Sequence, residues 1–494
     1  MSDLSTRRLI NVSNRLPVML RRTPDDATGW RAEPTAGGLV SALTPVLRAL
    51  GGEWIGWSGI VEEHATADVA QVLSALRDEM GFTLTPVAMT ADQRDKFYLG
   101  FSNEVIWPLF HDLQSRANFA PSYFTAYEEV NRRFAAVIAQ RASADDLIWI
   151  HDYHLINTAQ ELRSLGVTAS LIFFLHIPFP QPDIFLKLPW REPILAGMLA
   201  YDLLGFQTVR DRDNLLACAQ TLLGDTITLD SWEDLVIVTV QGCQVRLGVF
   251  PIGIDAAGFE RGAATRAVTD LTRQLRTAVG GQQIILGVDR LDYTKGIEQR
   301  LEAFRNTLQR YPELRRRITL VQIAVPSRTD IPEYRMLKQR IEGLVGEING
   351  ELTHLGWVPI QYLCRSLPFT ELLAHYRAAD VALVTPLKDG MNLVAKEYCA
   401  AHLDHQGVLI LSEFAGAAAQ LGTHALTVNP YDIDGVADAI AQACQMPLIE
   451  RVTRMTALRA SVRREDVFWW ADRVLRAGTL PAYHSVAPAL DQEA

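Results

Sequence analysis

Seven short apolar runs recur along the chain, LINVSN, LIWIHDYH, SLIFFLHIP, IILGVDR, ITLVQIA, VALVTP and VLILSEF, each ending in a polar or glycine-containing loop before a helical pattern. Continuous rather than alternating apolar order suits strands covered on both faces. This rhythm predicts a parallel α/β sheet with helical crossovers. At 494 residues the chain exceeds the length at which one core stops growing, roughly 250–300 residues, so two domains of similar size are expected. Between about Leu223 and Asp255 the pattern changes to alternating strands, LVIVTV and CQVRLGVF, before a helix rich in Arg and Thr and the fresh run IILGVD. The turn Pro251-Ile252-Gly253 therefore marks the crossover.

Composition narrows the function. A net charge of −10 argues against a nucleic-acid footprint, and Arg315-Arg316-Arg317 reads as a solvated helix end. Any phosphate site must then be local and built from specific cations. The five cysteines, Cys218, Cys243, Cys364, Cys399 and Cys444, are scattered, without a CxxC pair or a His/Cys ligand spacing. They read as reduced, mostly core thiols of a cytoplasmic protein, with no metal site. The start, MSDLSTRRLINVSNR, lacks the apolar run of a signal peptide, and no stretch of about 18 uncharged apolar residues appears. Thr23 to Pro34 reads as a mobile surface loop, and the last twenty residues, with Pro481 and Pro488, as a trailing end.

In open α/β sheets, ligands collect beyond the carboxyl ends of the strands. Those ends carry His151, Asp152, Tyr153 and His154 after IWI, and His176 after LIFFL. Asp289, Arg290, Asp292 and Lys295 follow IILGV, and Lys388, Asp389 and Gly390 follow VALVT. One such His or Asp is more often a structural residue or a cap; four clusters together describe one interdomain cleft. In LVTPLKDGMNLVAKEYCAAH the strand breaks at Asp389-Gly390 and restarts as a helix with Glu397 on its second turn. The free N–H groups of a helix start bind phosphates, and Glu397 lies where a carboxylate accepts from ribose hydroxyls, which suggests a nucleotide-sugar site. Arg290 and Lys295 flank a short loop ending at Gly296. Either they pair with Asp289 and Asp292 or they neutralise a leaving diphosphate, and the second reading is favoured.

The run Thr35-Ala36-Gly37-Gly38-Leu39 precedes the amphipathic LVSALTPVLRALG, so a second amide-rich loop, from the other domain, is placed to close over the same ligand. Pro45 is expected near the first turn of that helix. Trp54, Trp57, Tyr98, Phe101 and Trp107 lie in or beside loops rich in Gly, Ser and Asn. Half or more belong to the core, but sugar C–H faces also pack on such rings, and Arg15 and Arg328 follow strands where they could hold a phosphate. A sugar phosphate is the expected second substrate.

Through SNR, AGGL, GWSG, FSNEVIWPLFH, IWIHDYHL, FFLHIPFP, GVDRLDYTKGI and PLKDGMNLVAKEY, from Leu9 to about Trp470, the chain resembles the trehalose-6-phosphate synthase family of retaining GT-B glycosyltransferases. The resemblance implies an α/β fold of two Rossmann-like domains with parallel sheets facing a central cleft. Residues 1–253 would form the acceptor domain, 254–465 the nucleotide-sugar domain, and 466–494 a helix packing back on the first domain, then a tail. It implies that UDP-glucose is held by Gly37 and Gly38, by Arg290 and Lys295 on the diphosphate, by Asp389, Gly390, Met391, Asn392, Leu393 and Val394, and by Glu397 on the ribose. His176 and Asp389 would contact the glucose. Glucose 6-phosphate would bind through Arg15 and Arg328 on its phosphate and Tyr98, Trp107 and Trp57 on its ring, with Asp152 near the acceptor hydroxyl. Asp152, His176, Arg290 and Lys295 are the implied catalytic set, with no cofactor, no metal, no nucleic acid and no membrane partner. A homo-oligomer and a separate phosphatase acting on the product are compatible partners.

Lys388 stands where the family usually has Arg, the segment Cys364 to Thr370 departs from the pattern, and the loop Val18 to Pro34 is long. The Cys364 to Thr370 segment lies near the nucleotide base in the family, so the choice of UDP or GDP donor stays open. A different acceptor, as in glucosylglycerol-phosphate synthases, is the nearest rival, although such relatives lack the SNR and AGGL motifs and an Arg at position 328. A non-catalytic sugar-phosphate sensor is the rival of another class. It would be expected to have lost one of Asp152, His176, Arg290, Lys295 or Glu397, and all five are present.

Overall fold

Each of the seven apolar runs forms a buried strand in the computed structural model, which describes residues 7–23, 30–35, 37–64, 67–328 and 331–480. The described residues group into two compact units, one from 1–35, 47–250 and 472–494, the other from 36–46 and 251–471.

The first unit is built on a nine-stranded sheet. Its strands, in spatial order, are Thr83–Pro86, Glu53–Trp57, Leu9–Arg15, Leu147–His151, Ser170–Phe174, Leu203–Phe206, Cys243–Val249, Leu235–Val240 and Ile227–Trp232. The first seven run parallel, Leu235–Val240 runs antiparallel to them, and the edge strand Ile227–Trp232 pairs antiparallel with Leu235–Val240. The second unit has six parallel strands in the order Ile360–Leu363, Ile318–Val325, Gln283–Arg290, Val381–Val384, Val408–Ser412 and Leu426–Val428. At its centre Gln283–Arg290 pairs residue for residue with Ile318–Val325. The helix Ile297–Arg310 crosses between them, burying Ile297, Leu301, Phe304 and Leu308, the spacing of one helical face. Continuous apolar strands are thus buried on both faces, as a parallel sheet requires.

Several local expectations are corrected. The stretch Val18 to Pro34 is not simply a loop, because Val18–Arg22 pairs antiparallel with Trp30–Pro34. Val18 and Leu20 are buried between more exposed neighbours, the period of two that makes a half-covered strand; positions 24–29 lie outside the described residues. Pro45 is the eighth residue of the helix Gly38–Leu50, not in its first turn, so the Ser41 carbonyl lacks its usual helical amide. Tyr98 and Phe101 belong to the helical segment Arg94–Ile106, where Trp107 N–H donates to Ser102 five residues back, a π-type bond. Trp54 and Trp57 stand in a strand, and Trp57 and Trp107 are both buried. The run Arg315 to Arg317 follows a 3₁₀ turn and leads into the strand Ile318–Val325 instead of ending a helix.

Of the last twenty residues, positions 481–494 lie outside the described residues. Val467–Thr479 is helical, Trp470 is fully buried, and Arg246 Nη1 donates to the Leu480 carbonyl at 2.7 Å. Cys218, Cys399 and Cys444 are buried, and burial pushes each thiol up to about 12. Among the described residues no helix is long and apolar enough to cross a membrane, and no group of three or more His, Cys, Asp or Glu is placed to hold a metal ion.

Candidate active site

In the first unit, the carboxyl ends of four adjacent strands present Arg15, Asp152, His176 and Gln207. Asp152 has φ 74° and ψ 166°, a region almost reserved for glycine, in which a side chain costs on the order of 1–3 kcal/mol. Its surroundings hold it there. Asp152 N–H donates to the Phe174 carbonyl at 2.8 Å, its own carbonyl accepts from Leu155 N–H at 3.1 Å, and Oδ1 accepts from His176 N–H at 3.2 Å.

A chain of neutral hydrogen bonds orients the His176 ring. Gln207 Nε2 lies 3.4 Å from His176 Nδ1, His176 Nε2 lies 3.1 Å from His151 Nδ1, and His151 Nε2 lies 2.8 Å from Asn11 Oδ1. With the Asn11 oxygen accepting, each ring carries its proton on Nε2, and Gln207 donates into His176 Nδ1. Burial pulls His176 down to about 3 and His151 well below the ordinary histidine value, with the His176 charge adding to the latter effect. Both imidazoles are therefore neutral at physiological pH.

Beside this chain the Arg15 guanidinium lies 4.7 Å from the centre of the Tyr98 ring and 5.5 Å from that of Trp57. Tyr98 stacks on His154 at 5.8 Å, and His154 in turn contacts Tyr153, whose ring is 5.8 Å from Trp107. Arg15, Trp57, Tyr98 and Trp107 are thus linked, the last through Tyr153 and His154.

In the second unit, the strand Gln283–Arg290 ends on Arg290 and is followed by the turn Tyr293–Lys295. Gly296 closes that turn at φ 64°, and a Cβ there would sit 2.5 Å from the Thr385 carbonyl, so only glycine fits. Lys295 Nζ donates to Asp389 Oδ2 at 2.5 Å, and Asn392 Nδ2 donates to the same oxygen at 3.1 Å. Asp389 is thereby held between a strand end and the start of the helix Leu393–Ala401. Asn392, at φ 75°, caps that helix through Oδ1, which accepts from Ala395 N–H at 3.3 Å. Met391 accepts from Ala417 N–H at 2.8 Å, and Gly416 packs on the Gly390 carbonyl too closely for any side chain.

The pairing of Arg290 and Lys295 with Asp289 and Asp292, weighed from sequence, is only partly seen. Asp289 is taken by the wholly buried Arg300, which also reaches Gln322 Oε1 and Thr385 Oγ1, each at 3.0 Å, and the Lys295 carbonyl at 3.3 Å. Arg290 Nη2 is 3.9 Å from Asp292 Oδ2, with nearly half of its side chain exposed. Asp292 instead receives Arg328 Nη1 at 3.1 Å. Burial by itself would raise the Asp292 carboxyl, but Arg328, Arg290, Lys295 and the Thr294 amide hold it down at about 2. Arg328 adopts φ 51°.

Residues 36–46 group with this second unit, and a Cβ on Gly38 would lie 3.1 Å from Leu393 Cδ1. Gly38 therefore lies by the helix start at Leu393, whereas a Cβ on Gly37 would meet nothing within 4 Å. One turn further on, the half-buried Glu397 accepts from the Tyr376 hydroxyl at 2.7 Å, and burial raises its pKa. Among the described residues, eight other than glycine have positive φ, and three of them, Asp152, Arg328 and Asn392, were nominated from sequence. Such strain concentrates where geometry matters more than stability.

Sequence reading missed Asn11, Gln207, Arg300, Tyr334 and Tyr376. Gln207 directly follows the strand Leu203–Phe206, so the strand-end rule would have found it. Arg300, Tyr334 and Tyr376 lie within helices and carry no such signal.

Comparison with known proteins bears on these features. The family model described as Glycosyltransferase family 20 matches residues 7–478. The trehalose-6-phosphate synthase of Mycolicibacterium smegmatis is 43% identical over 476 residues, 96% of this chain and 92% of that protein. An α,α-trehalose-phosphate synthase (UDP-forming) from Burkholderia xenovorans, crystallised in complex with glucose-6-phosphate, superposes with a TM-score of 0.85 at 35% identity, over 95% of this chain and 99% of that one. A structure described as trehalose-6-phosphate from E. coli bound with UDP-2-fluoro glucose gives 0.84 at 37% identity, over 96% and 99% of the two chains.

Proposed function

Because the chain belongs to glycosyltransferase family 20, we propose that it transfers glucose from UDP-glucose to glucose 6-phosphate, releasing UDP and α,α-trehalose 6-phosphate with the donor configuration retained. The observation that carries this reading is the gathering of Arg290, Lys295 and Arg328 about the buried Asp292, in a chain whose net charge is −10. Cations concentrated locally against the overall charge are what two phosphorylated substrates require.

In this reading Arg290 and Lys295 hold the diphosphate, and the first-turn amides of Leu393–Ala401 add further donors. Gly38 borders the same helix start, and Gly37 precedes it in the amide-rich loop. Tyr376 takes one oxygen of Glu397 and so turns the other toward the ribose. His176, kept neutral, and Asp389 orient the glucose. Arg15 and Arg328 take the acceptor phosphate, while Tyr98, Trp107 and Trp57 receive the sugar ring and Asp152 lies near the acceptor hydroxyl.

Retention by double displacement needs a carboxylate nucleophile opposite a carboxylic acid, the two about 5–5.5 Å apart. Asp152 accepts from the His176 amide and Asp389 is ion-paired with Lys295, which favours a same-face displacement instead. The donor C1–O bond to the β-phosphate breaks as the acceptor anomeric oxygen bonds to C1. The proton of that hydroxyl passes to the leaving phosphate oxygen. The protein supplies charge and orientation, and its cations balance the departing UDP without a metal. We also place the enzyme in the cytoplasm, with a separate phosphatase acting on its product.

A coupled UDP-release assay with glucose 6-phosphate, glycerol 3-phosphate and free glucose, run with UDP-glucose and GDP-glucose, tests the proposal. Release with UDP-glucose and glucose 6-phosphate is expected. Turnover with glycerol 3-phosphate alone would move the assignment to the rival acceptor, and binding of glucose 6-phosphate without any nucleotide release would make the protein a sensor.

A further inference from the structure

One carboxylate lies among the groups assigned above to both substrates. Asp292 is buried, with no exposed side-chain surface, so water cannot replace its partners. Its Oδ1 accepts from Thr294 N–H at 3.0 Å and from the Thr294 hydroxyl at 2.9 Å, which fixes the turn that ends on Lys295. Its Oδ2 accepts from Arg328 Nη1 at 3.1 Å and from the Tyr334 hydroxyl at 3.4 Å, with Arg290 Nη2 at 3.9 Å. Arg328 also donates to the Tyr334 hydroxyl. The left-handed backbone of Arg328 is unfavourable for a side chain of its kind, and the Ile331 N–H bond to its carbonyl, at 3.0 Å, helps to keep it there.

We propose that Asp292 is a positioning residue shared by the donor clamp and the acceptor-phosphate arginine, and that through it the two substrates bind cooperatively. This rests on the assignment of Arg290 and Lys295 to the diphosphate and of Arg328 to the acceptor phosphate. A diphosphate that engages Arg290 and Lys295 draws their charge away from Asp292, so the carboxylate binds Arg328 more firmly. Arg328 is then held more firmly when the acceptor arrives, and less conformational freedom is lost on binding. By linkage, glucose 6-phosphate must tighten UDP by the same factor.

Calorimetric titration of glucose 6-phosphate, with and without saturating UDP, measures the coupling in the wild-type protein, Asp292→Asn and Arg328→Ala. The wild type is expected to bind glucose 6-phosphate at least about fivefold more tightly with UDP present, the low end of usual coupling. Asp292→Asn should bring that factor to within about twofold of unity and weaken glucose 6-phosphate roughly tenfold, while Asp292→Glu restores part of both. An unchanged coupling factor in Asp292→Asn, or an effect on melting temperature alone, overturns the inference, as does absence of coupling in the wild type. If Asp292→Asn does not fold, Thr294→Val decides: reduced coupling supports the shared role and wild-type coupling overturns it. Arg328→Ala separates the two levels, since unchanged glucose 6-phosphate affinity in that variant refutes the acceptor assignment itself.

Discussion

The strand ends of the first unit carry rings and neutral imidazoles, with Arg15 lying on Tyr98 and Trp57 and with His176 held near 3 by burial. Those of the second carry paired charges, Lys295 on Asp389 and Arg328 on Asp292. The two sets are expected to fail differently. A neutral network loses orientation when one member is removed, whereas a charged cluster also leaves a buried partner uncompensated. Recognition of an uncharged sugar suits the first kind and stabilisation of a leaving phosphate suits the second.

The largest effect should come from the charged set. Arg290→Ala and Lys295→Ala are each expected to lose at least about a hundredfold in turnover while keeping the fold, the scale of removing one transition-state donor, and Lys295→Ala should also lower the melting temperature because it leaves Asp389 uncompensated. Near-normal steady-state rates in both would erase the contrast between the units. Next comes the strained strand-end residue of the first unit. Asp152→Gly relieves a backbone cost of roughly 1–3 kcal/mol, so denaturant unfolding should show equal or greater stability while turnover falls more than about tenfold. A variant that is both less stable and fully active would mean that the strain has no functional counterpart.

A smaller effect is expected at the edge of the charged set. Tyr376→Phe removes one hydrogen bond to Glu397, worth about 1 kcal/mol, and should raise the KM for UDP-glucose about fivefold with that for glucose 6-phosphate unchanged. Equal shifts in both constants would detach Glu397 from the donor. The smallest concerns stability. Lys396, buried on the same helix, donates to the Ile252 carbonyl at 2.6 Å, and burial, opposed by Glu465, pulls its pKa down to about 7. The unfolded chain then holds more protons than the folded one above pH 7, so this group makes stability rise with pH, by about 1 kcal/mol between pH 7 and 8. Urea unfolding of Lys396→Met at the two pH values should lack that increment. If the increment survives, it arises from another group.

The sequence was most legible where chemistry is local. Continuous apolar runs identified the central strands because burial on both faces leaves no polar alternation. The strands Glu53–Trp57, Leu203–Phe206 and Ile360–Leu363 escaped notice because a glycine or a polar residue interrupts each apolar run, as in EWIGW, LLGF and IQYL. Arg290, Lys295 and Asp389 were visible as strand-end charges, but their partners were not. Arg300 takes Asp289 from the following helix, where an arginine ordinarily reads as a solvated face. Tyr376 meets Glu397 from 21 positions away, a distance over which no periodicity speaks. Asp292 was seen as one more charge beside Arg290, and only the fold shows it reaching Arg328 as well.

The grouping of residues 36–46 with 251–471 bears on how the protein can be divided. A cut between Phe250 and Pro251 yields a carboxyl-terminal fragment missing a strip of its own surface, the one that carries Gly38 against Leu393, and an amino-terminal fragment missing the end of the helix Val467–Thr479. Neither piece should be soluble and compact when expressed alone. Co-expression should succeed only where both pieces are present from the start, so split reporters or circular permutants are better opened elsewhere.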